Sequence, residues 1–372
     1  MEGHRNNFDL LRLAAALQVV VLHGFRHLEL GTDGLPGLIH RVVGYFPGVP
    51  IFFVVSGFLI AGSWERSPDL GRYARSRLLR IYPALWVAFA AALLIAAAWG
   101  AIGAPSLLST GFWAWTVGQL SFVQFYNPPF LRDFGVGVIN GSLWTIPVEL
   151  AFYLAIPILY RTVVDRGSRR GDAWLIGLAV ASFLSYAIWL GRDHDGLGFG
   201  VKLLSVSLVP HFHMFALGML LHRRRELVTR WLEGRALAWA ALFLATMIGF
   251  DLAGLGAGAG RPLMLLAQRL LLAAFTISAA LTGRGLARWV LRGADPSYGV
   301  YLYHMLVINV LVQAGMVASY RYLAAALVAA LVLGTLSWFV VEAAALKRKG
   351  PARARPASIV ATRPGPRVEH AT

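Results

Sequence analysis

Cysteine does not occur among the 372 residues. Disulfides, thiolate metal sites and a cysteine-linked acyl intermediate are therefore excluded. Any nucleophile or base must come from Ser, His, Tyr, Lys or a carboxylate. Charge is scarce as well: charged residues make up 14% of the chain, against about 25% in an ordinary soluble domain. Acid is scarcer than base, with 18 Asp and Glu against 34 Lys and Arg. Apolar residues fill the space, AVILMFWYC reaching 58% and the mean hydropathy +0.63. A chain so short of polar surface cannot coat a water-soluble globule, so it reads as an all-α, polytopic membrane protein. This reading removes nucleic acid as the partner behind the net charge of +16, because basic loops gathered on one membrane face give the same excess. Arg5 followed by Leu10–Leu22 imitates a signal peptide, but no small-x-small cleavage site follows, and Arg12 and His23 interrupt the stretch. It reads as a retained first helix.

Runs of roughly 20 apolar residues, enough to cross a bilayer, fall near 9–28, 44–63, 81–103, 143–161, 173–190, 200–221, 236–253, 263–282, 297–317 and 322–342. An eleventh stretch, 111–127, is broken by Gln119, Gln124 and Asn127 and ends in Pro128-Pro129. Charge arbitrates. With ten spans and a cytoplasmic N-terminus, 25 of the 34 Lys and Arg fall inside and six outside, with Arg12, Lys202 and Arg269 within spans. Counting 111–127 as a span reverses the bias to 10 inside and 21 outside, against the positive-inside rule. About ten transmembrane helices with both termini cytoplasmic are therefore expected, with 104–142 as a long outer segment. Residues 1–346 form one membrane domain, and 347–372 a basic, disordered cytoplasmic tail near anionic headgroups.

Ionisable residues inside membrane helices are functional candidates by default. At ~1.5 Å rise per residue, His23 lies roughly 9 Å below the outer edge, and so does Glu149 as its helix enters from outside. Equal depth suits a carboxylate–imidazole pair, and equally two unrelated interfacial residues. Arg12, ~5 Å in, and His304, ~10 Å in, form a layer near the cytoplasm by the same count. Below them Arg77 and Arg80, three apart, share a helix face. They serve either as topology-setting charges or as an anion clamp for a phosphorylated cofactor. Ser56 and Gly57 sit mid-membrane with no nucleophile elbow around them, which favours close helix packing. His211 and His213, two apart, face different sides, so no metal site is expected. Glu342 is placed to snorkel or to pair with Lys347. Phe112, Trp113, Trp115, Phe122, Phe125, Tyr126 and Phe130 form an interfacial aromatic belt, or else a half-inserted element whose rings stack on sugars.

Five motifs in order resemble the integral membrane acyltransferase-3 family, over nearly the whole chain up to about residue 345. The first helix reads FDLLRLAAALQVVVLH, with ten residues between Arg12 and His23; the second reads GVPIFFVVSGFLI, carrying Ser56-Gly57. RSRLLRIYPALW supplies Arg77 and Arg80, SLWTIPVELAFYLAIP carries Trp144 and Glu149, and SYGVYLYH carries Tyr298, Tyr301 and His304. Where the family often has Glu-x-Pro, this chain has Glu342-Ala343-Ala344, a change expected to alter a helix end rather than the chemistry. The resemblance is to the membrane domain and does not extend to the hydrolase-like domain fused to some members, so the acceptor is expected to be handled either by a protein partner or by the membrane domain alone.

The resemblance implies an O-acyltransferase of the bacterial inner membrane, taking an acyl group, by family frequency acetyl from acetyl-CoA, to a carbohydrate or glycan hydroxyl. Acyl-CoA is then a donor substrate and no cofactor is permanently bound. His23 and Glu149 become the catalytic residues, Arg12, Arg77, Arg80 and His304 the donor-binding set, and Ser56, Gly57, Trp144, Tyr298 and Tyr301 the lining of the site. The rival reading is a proton-coupled transporter or flippase of an anionic solute, which intramembrane His, Glu and Arg also suit.

Overall fold

The computed structural model describes residues 6–164, 168–190, 199–256, 258–283 and 285–348. Most of the basic tail from 347 therefore lies outside the described residues. Within them all regular structure is helical and no strand occurs. The principal helices are α1 (Phe8–His27), α2 (Gly34–Tyr45), α3 (Gly48–Arg66), α4 (Leu70–Ala98), α5 (Thr110–Leu120), α6 (Thr145–Thr162) and α7 (Arg169–Leu190). They are followed by α8 (Phe199–Ser205), α9 (Phe212–Arg223), α10 (Arg225–Trp231), α11 (Ala236–Leu252), α12 (Arg261–Leu281), α13 (Ser297–Gln313) and α14 (Tyr320–Ser337).

Each of the ten expected apolar stretches holds part of these helices. Seven segments among the described residues are both long and apolar enough to cross a membrane, eight when α10 and α11, bent by 86°, count as one. The shortfall has local causes. Stretch 200–221 breaks around Pro210 into α8 and α9, of 7 and 12 residues, because proline lacks the N–H a continuing helix needs and restrains the residue before it. Stretch 297–317 yields a helix of 17 residues. Stretch 111–127 forms only the 11-residue α5, with the Ser109 hydroxyl capping the Phe112 N–H at 3.1 Å. Gln119 and Gln124 then satisfy each other's backbone carbonyls at 3.0 and 3.2 Å.

Close helix approach places the site. α3 packs on α9 through Gly57 and Gly218, where an added Cβ would run into the carbonyls of Phe215 and Val54 respectively. The other side of α3 meets α1, which lies along α13, and α13 packs on α14. The 104–142 segment is stitched to the C-terminal half of α13. Asn309 Oδ1 accepts from the Val136 N–H at 2.8 Å, and its Nδ2 donates to Val138 and Ile139 carbonyls at 3.1 Å. Gln313 accepts from the Gly135 N–H at 2.7 Å, and Asn140 donates to the Leu302 carbonyl at 2.8 Å. Trp115 is fully buried against Phe89 and Phe130, whereas Trp113 and Phe122 are exposed. The aromatic belt is thus divided: part packs the outer segment onto α4 and part faces outward.

Candidate functional site

Two polar rungs join α1 to α13. On the lower rung Arg12 reaches Asp295, just ahead of α13, at 3.4 Å and Asp9 at 3.7 Å. On the upper rung His23 Nδ1 lies 3.0 Å from His304 Nε2, the rings stacked with centroids 5.1 Å apart. Eleven residues separate the rungs on α1 and nine on the α13 side, so the two helices run parallel. Counting depth from the edge of each apolar run placed His304 in the Arg12 layer. The Arg12–Asp295 contact shows that α1 starts more than a turn below α13, which brings His304 level with His23. His23 is therefore partnered by His304, and the carboxylate of Glu149 is engaged elsewhere.

The hydrogen bonds fix the tautomers. His304 Nδ1 lies 2.7 Å from the Tyr301 carbonyl, and a carbonyl only accepts, so Nδ1 carries the proton. In the neutral ring Nε2 is then an acceptor and takes the proton of His23 Nδ1. This leaves the lone pair on His23 Nε2. His304 is completely buried and His23 partly so.

A cavity of about 420 Å³ lies below the pair. Its mouth carries Asp9, Arg12, Arg66, Arg77, Arg80 and Asp295, and its wall includes Ser56, Glu149, Tyr153 and Tyr298. Tyr301 lines it as well, and the Tyr301 hydroxyl is tied to the Ser142 carbonyl and to Thr145, each at 2.8 Å. The cavity thus reaches the residue whose carbonyl orients His304. Gly57 and Trp144 do not line it: Gly57 faces α9, and Trp144 packs on His211 with centroids 5.0 Å apart.

The three arginines have different partners. Arg80 is held by Asp295 and, at 3.5 Å, by Glu342, while its guanidinium lies 5.9 Å from the rings of Tyr298 and Trp338. Asp295 is buried, which raises its carboxyl pKa, but Arg80 and then Arg12 outweigh burial and hold it below the usual carboxylate value. Glu342 pairs with Arg80 and accepts from Ser337 at 3.1 Å; the expected snorkelling toward Lys347 is replaced. It sits on a π-helical turn, Trp338–Glu342, after which the chain stays helical through Lys347, where a proline would have stopped it. Arg77 has no carboxylate partner among the described residues. It lies 5.8 and 5.6 Å from the Tyr73 and Tyr153 rings, and its buried Nε is unpartnered. Of the two arginines in the expected anion clamp, Arg77 is the one without an ion pair among the described residues; its Nη2 donates to Ser76 at 3.4 Å. Glu149 accepts a short hydrogen bond from Tyr153, on the cavity wall beside Arg77.

Asp295, Tyr153 and Thr145 were not singled out from the sequence. Asp295 had a signal: it is the one acid in 284–296, a segment carrying three arginines. Among the described residues no group of three or more His, Asp or Glu is arranged to hold a metal ion. His211 and His213 turn to separate partners, the Ser205 carbonyl and Ser182.

A family model described as an acyltransferase domain, the acyltransferase-3 model, matches residues 5–342. Nodulation protein 10 of Rhizobium leguminosarum bv. viciae is 34% identical over 96% of this chain and 97% of its own. An O-acetyl transferase of Shigella phage Sf6 is 26% identical over 94% and 98% respectively. The exopolysaccharide production protein ExoZ of Rhizobium meliloti (strain 1021) is 26% identical over 81% and 89%. No solved structure matches.

Proposed function

This chain belongs to the acyltransferase-3 family and is an acyltransferase; from that premise we propose that it moves an acyl group, by default acetyl from acetyl-CoA, to a hydroxyl of a carbohydrate or glycan at the membrane. The observation carrying this reading is the cavity that joins an arginine-rich mouth to the residue anchoring the His23–His304 pair. The names of the relatives supply the group and the acceptor class: one is an O-acetyl transferase and another acts in exopolysaccharide production. The distribution of basic residues supports ten spans with both termini cytoplasmic in a bacterial inner membrane.

Acyl-CoA enters at the mouth, where Arg77 meets its phosphates with the planar donor set that phosphate favours. Arg80 and Arg12, tied to Asp295, hold the mouth open and positive. The acyl-pantetheine arm extends toward Tyr301. His23 Nε2 takes the proton of the acceptor hydroxyl as its oxygen attacks the thioester carbonyl. The C–O ester bond forms, the C–S bond breaks, and the CoA thiolate leaves and is protonated by the His23 imidazolium. During the reaction the charge on His23 is shared with neutral His304 through the Nδ1–H contact. Glu149, bound to Tyr153, orders the wall beside Arg77.

The test is the base-labile O-acyl content of surface glycans in a deletion strain complemented with wild type, His23→Ala or His304→Ala, at equal membrane expression. Wild type restores the esters, His23→Ala restores none, and His304→Ala lowers transfer by about 10²–10⁴-fold, the range general-base catalysis supplies. Normal product from well-expressed His23→Ala would sink the mechanism.

A further inference from the structure

On the far side of α3 from the His pair lies a second buried polar cluster that the reaction above does not use. Its centre is Arg269 on α12, only 6% exposed and about 12 Å along its helix from the Arg261 end. Nη2 donates to the Tyr186 hydroxyl at 2.6 Å, and the guanidinium lies 5.1 Å from the Tyr186 ring. Nε and Nη1, which carry three N–H donors, are buried without a partner, and among the described residues Arg269 has no ion pair. Around Tyr186 stand His213, ring centroids 5.4 Å away, and His211, 6.2 Å away. His213 Nε2 is likewise buried and unpartnered. These imidazoles sit where the chain breaks at Pro210, at the N-terminal end of α9, the positive end of its dipole.

A guanidinium within an apolar bundle is normally matched by a carboxylate, because an unmatched buried charge is strongly unfavourable. Other arginines follow that rule: Arg12 and Arg80 share Asp295, and Arg223 and Arg224 share Asp172. Among the described residues Arg269, like Arg77 at the cavity mouth, has no carboxylate, and Arg269 is the more deeply buried of the two. Its three idle donors and the idle His213 nitrogen gather with the N-terminal end of α9 in one cluster around Tyr186. The donor cavity does not include it; Phe53, which lines that cavity, and Trp144 pack against His211 from the other side, at 5.9 and 5.0 Å between centroids. Yet it is connected to the reaction centre. Trp144 directly precedes Thr145, whose hydroxyl holds Tyr301, and the Tyr301 carbonyl holds His304.

We propose that Arg269, with Tyr186, His211 and His213, binds an anionic group of the acceptor, a sugar carboxylate or a phosphate of its carrier. This assignment rests on the acyltransferase reading for the word acceptor, and on the unmatched arginine alone for the anion.

The test uses the full chain in nanodiscs of phosphatidylcholine. Its thermal midpoint is measured with glucuronate, with pyrophosphate, and with glucose at matched ionic strength. One of the two anions raises the midpoint and glucose does not; which anion acts tells a sugar acid from a carrier phosphate. Arg269→Gln abolishes the shift, weakening binding at least tenfold, as expected for a lost charge-assisted contact, and Arg269→Lys keeps part of it. Without ligand, Arg269→Gln is as stable as wild type or more so, since it removes an unmatched buried charge. A drop in its unliganded midpoint would make Arg269 a structural residue and overturn the proposal. So would identical responses to glucose and both anions, or an anion response that survives Arg269→Gln. Release of CoA thiol from acetyl-CoA, followed in the same samples, tests the acyltransferase mechanism separately: its absence would sink that mechanism and leave the anion result standing.

Discussion

Asp295 accepts from Arg80 on α4 and from Arg12 on α1, and so is the carboxylate that the two guanidiniums share. Asp295→Asn keeps the shape and removes the charge; a loss of about 3 kcal/mol, at the level of breaking a buried pair, is expected as a lowered thermal midpoint. The pH dependence follows from the direction of the shift. The carboxyl is ionised in the folded chain at pH values where the unfolded chain binds a proton. Its stabilisation is therefore complete above the ordinary carboxylate value of about 4 and is lost as pH falls through the lower folded value. An acid titration of the midpoint should show this loss in wild type and a flatter profile in Asp295→Asn. At this scale the sequence was informative where polarity is rare. Arg12 and His23 stood out because apolar surroundings make them conspicuous, and Arg77 by its spacing from Arg80. Partnerships were less legible: depth along one helix says nothing about where the neighbouring helix starts, so Glu149 rather than His304 was matched to His23.

At the scale of the helix, one dipeptide does two jobs. Ser56 and Gly57 are neighbours on α3 and so point about 100° apart: Ser56 faces the cavity while Gly57 lets the α9 backbone approach. Gly57→Ala places a methyl group against the Phe215 carbonyl, and backbone cannot rotate away as a side chain can. Destabilisation of about 1–3 kcal/mol is expected from such overpacking, read as a lower midpoint; the second-site change Phe215→Ala should not rescue it, because the obstacle is main chain. The packing role of Gly57 was legible from its size. The interruption at Pro210 was missed, because an apolar window averages over one proline and reads 200–221 as continuous. Nothing local in 338–342 announced the π-helical turn, which turns Glu342 to Arg80 through contacts 262 residues apart in sequence.

For the whole molecule, composition alone established the all-helical membrane class, since apolar surface in this amount has no other place to go. The number of crossings was less legible: the ten apolar runs contain helices, but only seven segments meet both length and hydropathy, because short and broken helices carry several runs. Sidedness is a charge argument and predicts an outcome. In sealed vesicles of opposite orientation, acetyl-CoA outside should be consumed only where the face bearing Arg66, Arg72 and Arg75 points outward. Consumption in both orientations would refute a single donor mouth on the basic side.

The two rungs between α1 and α13 join residues 283 and 281 positions apart. Translation at ~5–20 residues per second separates the emergence of their two halves by roughly 15–60 s. For that interval the first helix waits in the bilayer with Arg12 unmatched by Asp295 and His23 without its imidazole neighbour. A nascent chain therefore lacks both rungs, and under the proposed mechanism any chain that ends before α13 has no centre with which to spend a thioester. Under that mechanism, activity begins only when synthesis is nearly complete.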